Sequence, residues 1–511
     1  MSENRNKKFE INMTKFYILT LLIFNFFIGL VSATTVYNIS LSGRDSIINT
    51  TIILTSEEKI TRWDVFWILP DNSKILDIKD DKGEIEDYSI DGNNLRFLTN
   101  TDRSNTKKVF INFLIENVVD DKFKPVYSVD LSLPGISNEI TIVNFKTNGL
   151  ISGHASFNFS EKYENSYAEL IGYGPINLRM FFSSEGKFYN NYIGFDNFSL
   201  SAADELYPII QSVTGIDLPF KRFPVKILSD EKYNEIAKSW SSGTHLTGGL
   251  ILIKESTMKT ENNASIIIHE TIHGYNSKVF SWQEANISWF DEGMGKFVEH
   301  LADKQLGNIE PEIFGGGIIY STKGDKFILK SKGDREKLWN YYKNNENFIE
   351  TWNLNQDNNR DFGYAFSELI IRDFVKKRGI EGLRLAYKYI LDVDHVVNNS
   401  EEFNYILLKA MNYDLRPCYP NDRSKFETCL NDVNKLEIFI PNFNSTKLIK
   451  TEKNFTDDLR LEENISTTEE NISTHILNDS SKTVITSETK QSLLSKAIKN
   501  IINFFARFFR K

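Results

Sequence analysis

The chain has 511 residues, 41% of them hydrophobic and 25% charged, which excludes a disordered or collagen-like polymer and gives room for two or three domains with real cores. Sixty basic against 69 acidic side chains leave a net charge of -9, and the only dense basic cluster beyond the leader is the last sixteen residues. A nucleic-acid protein is therefore disfavoured, because phosphate binding needs a concentrated basic surface.

Lys7, Lys8 and Lys15 precede an apolar run from Phe16 to Val31, followed by small Ser32 and Ala33. This pattern predicts an export signal over residues 1–33, cleaved after Ala33. The alternative is an uncleaved N-terminal anchor, and either reading places the remainder outside the membrane, extracellular or at the cell surface. Asn-x-Ser/Thr acceptors at Asn38, Asn49, Asn158, Asn197 and Asn398 suit an exported glycoprotein. Cys418 and Cys429, the only cysteines, can close a small loop in an oxidising compartment or remain free thiols.

Residues 34–200 read as an antiparallel β-sandwich. Val109, Ile111, Phe113 and Ile115 alternate with Phe110, Asn112, Leu114 and Glu116, and strand-like runs recur at Thr51 to Leu54, Trp63 to Leu69, Tyr127 to Leu133, Ile140 to Phe145, Ala155 to Phe159 and Leu178 to Phe182. No cluster of His, Cys or acids at ligand spacing accompanies them, so the expected role is scaffold or substrate presentation.

From Ser201 the period changes. Ala202, Leu206, Ile209, Ile210 and Val213 recur at helical spacing before Gly215. Strands are expected at Val225 to Leu228 and, as a sheet edge, at Gly249 to Ile253, with helices from about Ala264, Asp291, Phe362, Gly379 and Glu401. The overall expectation is thus an α+β multidomain chain, with a mixed α/β and then mainly helical domain over residues 201–440. The glycines between Phe314 and Ile319 mark a connection.

Residues 441–491 are rich in Ser, Thr, Asn and Glu and poor in large apolar side chains, which predicts a solvated stalk. In residues 492–511, Leu494, Ala497, Ile498, Ile501, Phe505 and Phe508 share a helical stripe beside Lys496, Lys499, Arg507, Arg510 and Lys511. Such a helix suits an anionic membrane surface rather than a span, or else docks on protein.

The residues that carry chemistry are His269-Glu270-Thr271-Ile272-His273. Four residues advance a helix by about 400°, so the two imidazoles share a face one turn apart and can hold one metal ion, for which zinc is suited. Glu270 projects beside that face and can take a proton from metal-bound water without ligating the ion. Ile266, Ile267 and Ile268 show that the preceding turn is buried. Eighteen residues separate His273 from Glu292, which stands within Trp289-Phe290-Asp291-Glu292-Gly293-Met294-Gly295-Lys296-Phe297-Val298-Glu299.

Those two strings and their spacing resemble the gluzincin metallopeptidases, the group of thermolysin-like and aminopeptidase N-like enzymes, whose second helix reads W-x-x-E-G-x-A-x-x-x-E. The resemblance covers Asn263 to Glu299 directly and implies that His269, His273 and Glu292 bind one zinc per chain. It also implies that Glu270 is the general base in hydrolysis of a peptide or protein by zinc-bound water. Asp291 is the rival third ligand. Glu299, seven residues past Glu292, is placed to orient a histidine.

Gly295 stands where the group usually has alanine, small enough for close packing but costing about 1 kcal/mol of helix propensity. The aminopeptidases of the group carry a G-x-M-E-N stretch whose glutamate grips the substrate amine, whereas Gly248 to Ile253 here contains no acid. An endopeptidase is therefore favoured. The competing reading is a catalytically inactive cell-surface binding or structural protein on the same fold. Tyr364 is the expected oxyanion donor, with Phe362, Tyr320, Tyr341 and Tyr342 as alternatives. His154, His245, His300, His395 and His475 lack ligand spacing and are expected at the surface or in the core.

Overall fold

The computed structural model describes residues 31–155, 159–164, 166–217, 222–260, 263–279, 287–306, 332–344, 348–354, 360–392, 400–411 and 423–434. The leader up to residue 30, Asn158, the glycine cluster, Tyr320, His395, Asn398, Cys418, His475, the stalk and the C-terminal helix lie outside the described residues. Cys429 is disulfide-bonded. Among the described residues no helix is long and apolar enough to cross a membrane.

A β-rich N-terminal region precedes a helical one. Its strands are β1 (Val31–Ser42), β2 (Asp45–Ile68), β3 (Ser73–Asp80), β4 (Gly83–Glu84), β5 (Tyr88–Asp91), β6 (Asn94–Ile115) and β7 (Val119–Phe123). Then follow β8 (Val126–Leu133), β9 (Ile140–Lys146), β10 (Leu150–Ala155), β11 (Phe159–Glu164), β12 (Tyr167–Tyr173) and β13 (Ile176–Phe182). Sheet 1 runs β11-β12-β9-β1-β2-β6-β3-β4, with β5 also on β6, and sheet 2 runs β10-β13-β8-β7. The alternation in β6 does its work here: Val109, Ile111, Phe113 and Ile115 are buried in a core shared with Leu131, Leu133, Leu178 and Met180 of sheet 2.

Three expectations need correction. The pairing is not wholly antiparallel, since β1 lies parallel to β9 from Thr34↔Ile140 to Ser40↔Lys146. Thr51 to Leu54 and Trp63 to Leu69 are not separate strands: β2 runs from Asp45 to Ile68 with register shifts between Thr55 and Arg62. Ala155 ends β10 while Phe159 begins β11, so that run belongs to two strands. β1 itself starts at Val31, and Val31, Ser32 and Ala33 pair with Ser56, Thr55 and Leu54, three residues ahead of the expected cleavage.

The second region opens with β14 (Lys187–Phe188) and β15 (Tyr192–Gly194) and the helices α1 (Ser201–Leu206) and α2 (Pro208–Thr214). The single helix expected there is two, because Pro208 supplies no N–H and restarts the helix at its first turn. β16 (Phe223–Leu228), α3 (Asp230–Ile236), β17 (Gly243–His245), β18 (Ile251–Lys254) and α4 (Glu255–Met258) follow. Sheet 3 has the order β14-β15-β16-β18-β17. The expected edge strand is therefore interior: β18 pairs with β16 on one side and β17 on the other, and Gly243–His245 is the edge.

Against this sheet lies α5 (Asn263–Val279), and α6 (Ser288–Gln305) packs on α5; α7 (Lys332–Lys343), α8 (Phe348–Thr351), α9 (Arg360–Asp392), α10 (Ser400–Met411) and α11 (Arg423–Asn434) follow. Gly379 (φ 70°) divides α9 into two helical segments. Ile267, Ile268, Ile272 and Tyr275 of α5, Trp289, Phe290, Met294 and Phe297 of α6, and Phe366, Leu369 and Ile370 of α9 form one apolar core. That core fixes the three helices that carry the site.

Candidate metal centre

Helical spacing brings His269 and His273 to one face of α5, and their rings stand 5.0 Å apart. Packing of α6 against α5 then adds Glu292: ligand atoms of the three residues lie within 4.8 Å of one another. Glu292 Oε2 is 3.4 Å from His269 Nε2 and 3.7 Å from His273 Nε2. Ligands about 2.0–2.1 Å from a tetrahedral ion stand about 3.3 Å apart, so the spacing and the donor set of two imidazoles and a carboxylate fit zinc.

One of the two imidazoles, His269, is held by a hydrogen bond through its other nitrogen. His269 Nδ1 donates to Glu299 Oε2 at 2.8 Å, and Lys296 Nζ donates to the same oxygen at 2.6 Å. His273 Nδ1 is 2.8 Å from Asp291 Oδ1, which also accepts from Asn276 Nδ2 at 2.6 Å. Tyr387 in turn donates to Asn276 Oδ1 at 2.5 Å. The hydrogen bond at His269 Nδ1 leaves its Nε2 toward Glu292 and sets the tautomer a metal ligand needs, while His273 Nε2 also lies toward Glu292. Asp291 lies against His273 and outside the three-residue cluster.

Charge in the site follows from burial and pairing. Burial opposes ionisation of Glu299, but Lys296 and His269 outweigh it and hold the carboxyl well below the usual range. Burial likewise disfavours the imidazolium of His269, yet hydrogen bonds to Glu292 and Glu299 leave its pKa raised. His273 is pushed up to about 10, Asp291 and Glu292 overcoming its burial. Glu270 is 6% exposed, and burial raises its pKa despite the neighbouring His269 and His273.

The edge strand passes directly over Glu270. A Cβ on Gly243 would stand 2.8 Å from both Cγ and Oε1 of that glutamate. A Cβ on Gly295 would stand 2.8 Å from His269 Nε2, so an alanine there would need the imidazole or the helix to shift.

Tyr364 projects from the first turns of α9, half-buried, and burial, with the charges of Glu292, Glu270 and Glu299, raises its pKa well above the ordinary value. Lys296 Nζ lies 5.5 Å from its ring centroid. Of the alternatives among the described residues, Tyr341 packs on Phe362 at 5.7 Å and Tyr342 stacks on Phe366 at 5.2 Å within the aromatic core.

Sequence reasoning missed the Asn276–Tyr387 link, Lys296 and Gly243. The i,i+3 spacing of His273 with Asn276 and of Lys296 with Glu299 was the available signal for two of them. Of the remaining histidines, His245 is buried between β17 and α5, and burial, reinforced by His273, pushes it down to about 3. His300 is buried and donates through Nδ1 to Glu368 Oε1 at 2.5 Å, where Arg372 Nε also donates at 2.7 Å.

No family profile and no curated protein matches the sequence. Among solved structures, the chain is similar to a mutant M1 zinc metallopeptidase from Deinococcus radiodurans bound to a Tyr-Ser-Ala substrate, at 10% identity over 81% of this chain and 96% of that one, with a TM-score of 0.33. An M1 zinc metallopeptidase from the same organism gives 10% identity, the coverages 81% and 95%, and 0.34. Legionella pneumophila aminopeptidase A in complex with aspartic acid gives 11% identity, 76% of this chain, 48% of that one, and 0.35. At these values the likeness assigns no role to any side chain, and the chemistry of the centre rests on its own geometry.

Proposed function

We propose that the protein is a zinc-dependent peptidase in which His269, His273 and Glu292 hold one metal ion and Glu270 is the general base. The observation that carries the reading is the convergence of three ligand atoms within 4.8 Å on α5 and α6, with a buried glutamate one residue after the first ligand. When bound, zinc supplies a Lewis acid that polarises the scissile carbonyl and acidifies the attacking water.

The chain's own groups do the rest. Glu270 accepts the proton of the attacking water at its carboxylate and delivers it to the leaving amine, and burial, which raises its pKa, makes it a stronger base than an exposed carboxylate. Tyr364 stays protonated and donates its hydroxyl to the oxygen that gains charge. β17, paired only to β18 in its sheet, offers its outer backbone edge to an extended substrate.

Endoproteolysis is the favoured mode. Gly243, Thr244, His245, Leu246 and Thr247 contain no carboxylate, so the strand beside Glu270 has no side chain to grip a free amine. From the leader pattern, the acceptor sites and the basic C-terminal stripe, the protein acts on peptides or proteins outside the cell, close to a membrane surface. Zinc content by atomic emission after dialysis tests the centre: one ion per chain is expected, and a His273→Ala protein that keeps it would refute the ligand set. Unchanged liposome binding after deletion of residues 492–511 would refute the membrane contact.

A further inference from the structure

Sheet 2 has two unlike faces. Leu131, Leu133, Leu178 and Met180 point into the β core, so the two-residue period turns Asp130, Ser132, Asn177 and Arg179 outward. Further along the outer face, Phe123, Val126 and Phe181 join Leu228, Tyr233, Leu250 and Leu252 in a small core where the β region meets sheet 3. Beside that junction lies a cavity of about 380 Å³ lined by Asp130, Ser132, His154, Asn177, Arg179 and Thr247.

Thr247 links the cavity to the metal centre. It sits two residues past His245 in the turn that joins β17 to β18, closed by Leu246 N–H to Leu250 O at 2.7 Å and Gly249 N–H to Leu246 O at 3.0 Å. The turn is pressed onto sheet 2, since a Cβ on Gly248 would stand 2.8 Å from Phe181 and 3.3 Å from Arg179. The edge strand Gly243–His245 and the turn that follows it therefore connect Glu270, at Gly243, to the cavity, at Thr247. Thr247 is four positions past Gly243, the last two of them beyond the strand.

We infer that this cavity is a substrate subsite, taking the stretch of polypeptide about three to five residues N-terminal of the scissile bond. The inference rests on the peptidase reading and adds the β region as a reader of substrate. Antiparallel pairing, already the mode of β17 with β18 and the more stable ladder per residue, directs the N-terminal part of a bound peptide toward Thr247. The outward side chains carry polar heads beside the apolar surface of Leu131 and Leu178, and together they suit a polypeptide's backbone and mixed side chains. Arg179 grips Asp130 with two hydrogen bonds, the Nη2 to Oδ2 bond at 2.9 Å, yet the two side chains remain 36% and 55% exposed and so can meet a ligand. Because Asp130 is already neutralised by Arg179, the cavity favours a continuing chain over a terminal amine.

The test uses the full zinc-loaded chain and random-sequence peptide pools of four and ten residues, with cuts mapped by mass spectrometry. In the natural protein the ten-residue pool is cut at least tenfold faster per bond, with four or more residues before the favoured cuts. Asn177→Trp fills the cavity from an exposed position and Arg179→Ala removes the guanidinium. Each lowers the ten-to-four ratio at least fivefold, and an unchanged ratio in both variants overturns the subsite. If the natural protein cuts neither pool, the peptidase reading fails. Equilibrium binding of the fluorescein-labelled ten-residue pool then decides the cavity: at least fivefold weaker binding to Asn177→Trp retains it as a peptide site, and equal binding removes it.

Discussion

Gly243 and Glu270 come from elements 27 positions apart in sequence, yet a side chain on the first would overlap the carboxylate of the second, with 2.8 Å to its Oε1. The edge strand and the general base are therefore built as one surface. Gly243→Ala must displace either the strand or the glutamate. Since a 1 Å misplacement can cost about 100-fold in rate, kcat/KM on a peptide substrate is expected to fall by about that factor. Zinc content stays at one per chain, and loss of zinc in the variant would show that the damage lies in the ligands instead.

A second contact of this kind joins Gly295 to His269. Gly295→Ala gains about 1 kcal/mol of helix propensity but pushes a methyl group into the imidazole. The expected result is zinc affinity lowered about 10- to 100-fold, the range for disturbed ligand orientation, read by competition with a chromophoric chelator. Affinity unchanged within twofold would mean that α6 moves away freely.

Tyr364→Phe removes the hydroxyl whose pKa the charges of Glu292 and Glu270 help to raise, and keeps the ring beside Trp352, 6.2 Å between centroids. Loss of one oxyanion donor is worth about 100- to 1,000-fold in kcat. Steady-state kinetics should show that loss in kcat with KM within about twofold. Full turnover would remove Tyr364 from the mechanism.

Acid stability should report on the β region. Lys107 is fully buried and paired with Asp80 at 2.8 Å and with Asp81. Burial opposes the charge on Asp80, but hydrogen bonds from Lys107 and Thr99 outweigh it and lower its pKa to about 2. A carboxyl with a depressed native pKa contributes stability that is full above its unfolded value, about 3.9, and is lost as pH falls toward the native value. Thermal unfolding from pH 6 down to pH 2 should show a falling midpoint below about pH 4. Asp80→Asn should cost about 1–3 kcal/mol at pH 6, because Asp81 still pairs with Lys107, and should flatten the acid limb. An identical acid limb in the variant would assign it to other carboxyls.

The centre was legible where its geometry is local. His269 and His273 share a face through helical period alone, and Glu292 needed only a second helix at a readable spacing. Contacts set by tertiary packing were not legible: nothing in Gly243-Thr244-His245 announces that it lies over Glu270, and the apolar run Leu250 to Ile253 looked like the strand beside the site. Its continuous apolarity marks instead a strand covered on both faces, which is where β18 lies. Similarly, Ser56, Glu57, Glu58 and Lys59 interrupt the apolar alternation of β2 without interrupting its backbone. The parallel partnership of β1 with β9 joins segments 106 residues apart, as at Asn38 and Asn144, and leaves no local trace.

The central claim is zinc-dependent peptide hydrolysis with Glu270 as base, and mass-spectrometric mapping of cuts in a mixed peptide pool tests it most directly, the full chain being compared with its Glu270→Gln variant. Internal cuts by the natural protein, reduced at least 1,000-fold (about 4 kcal/mol of barrier) in a variant that still holds one zinc per chain, are the result expected. A folded, zinc-loaded natural protein that cuts nothing, or a variant that cuts as well as its parent, would contradict it.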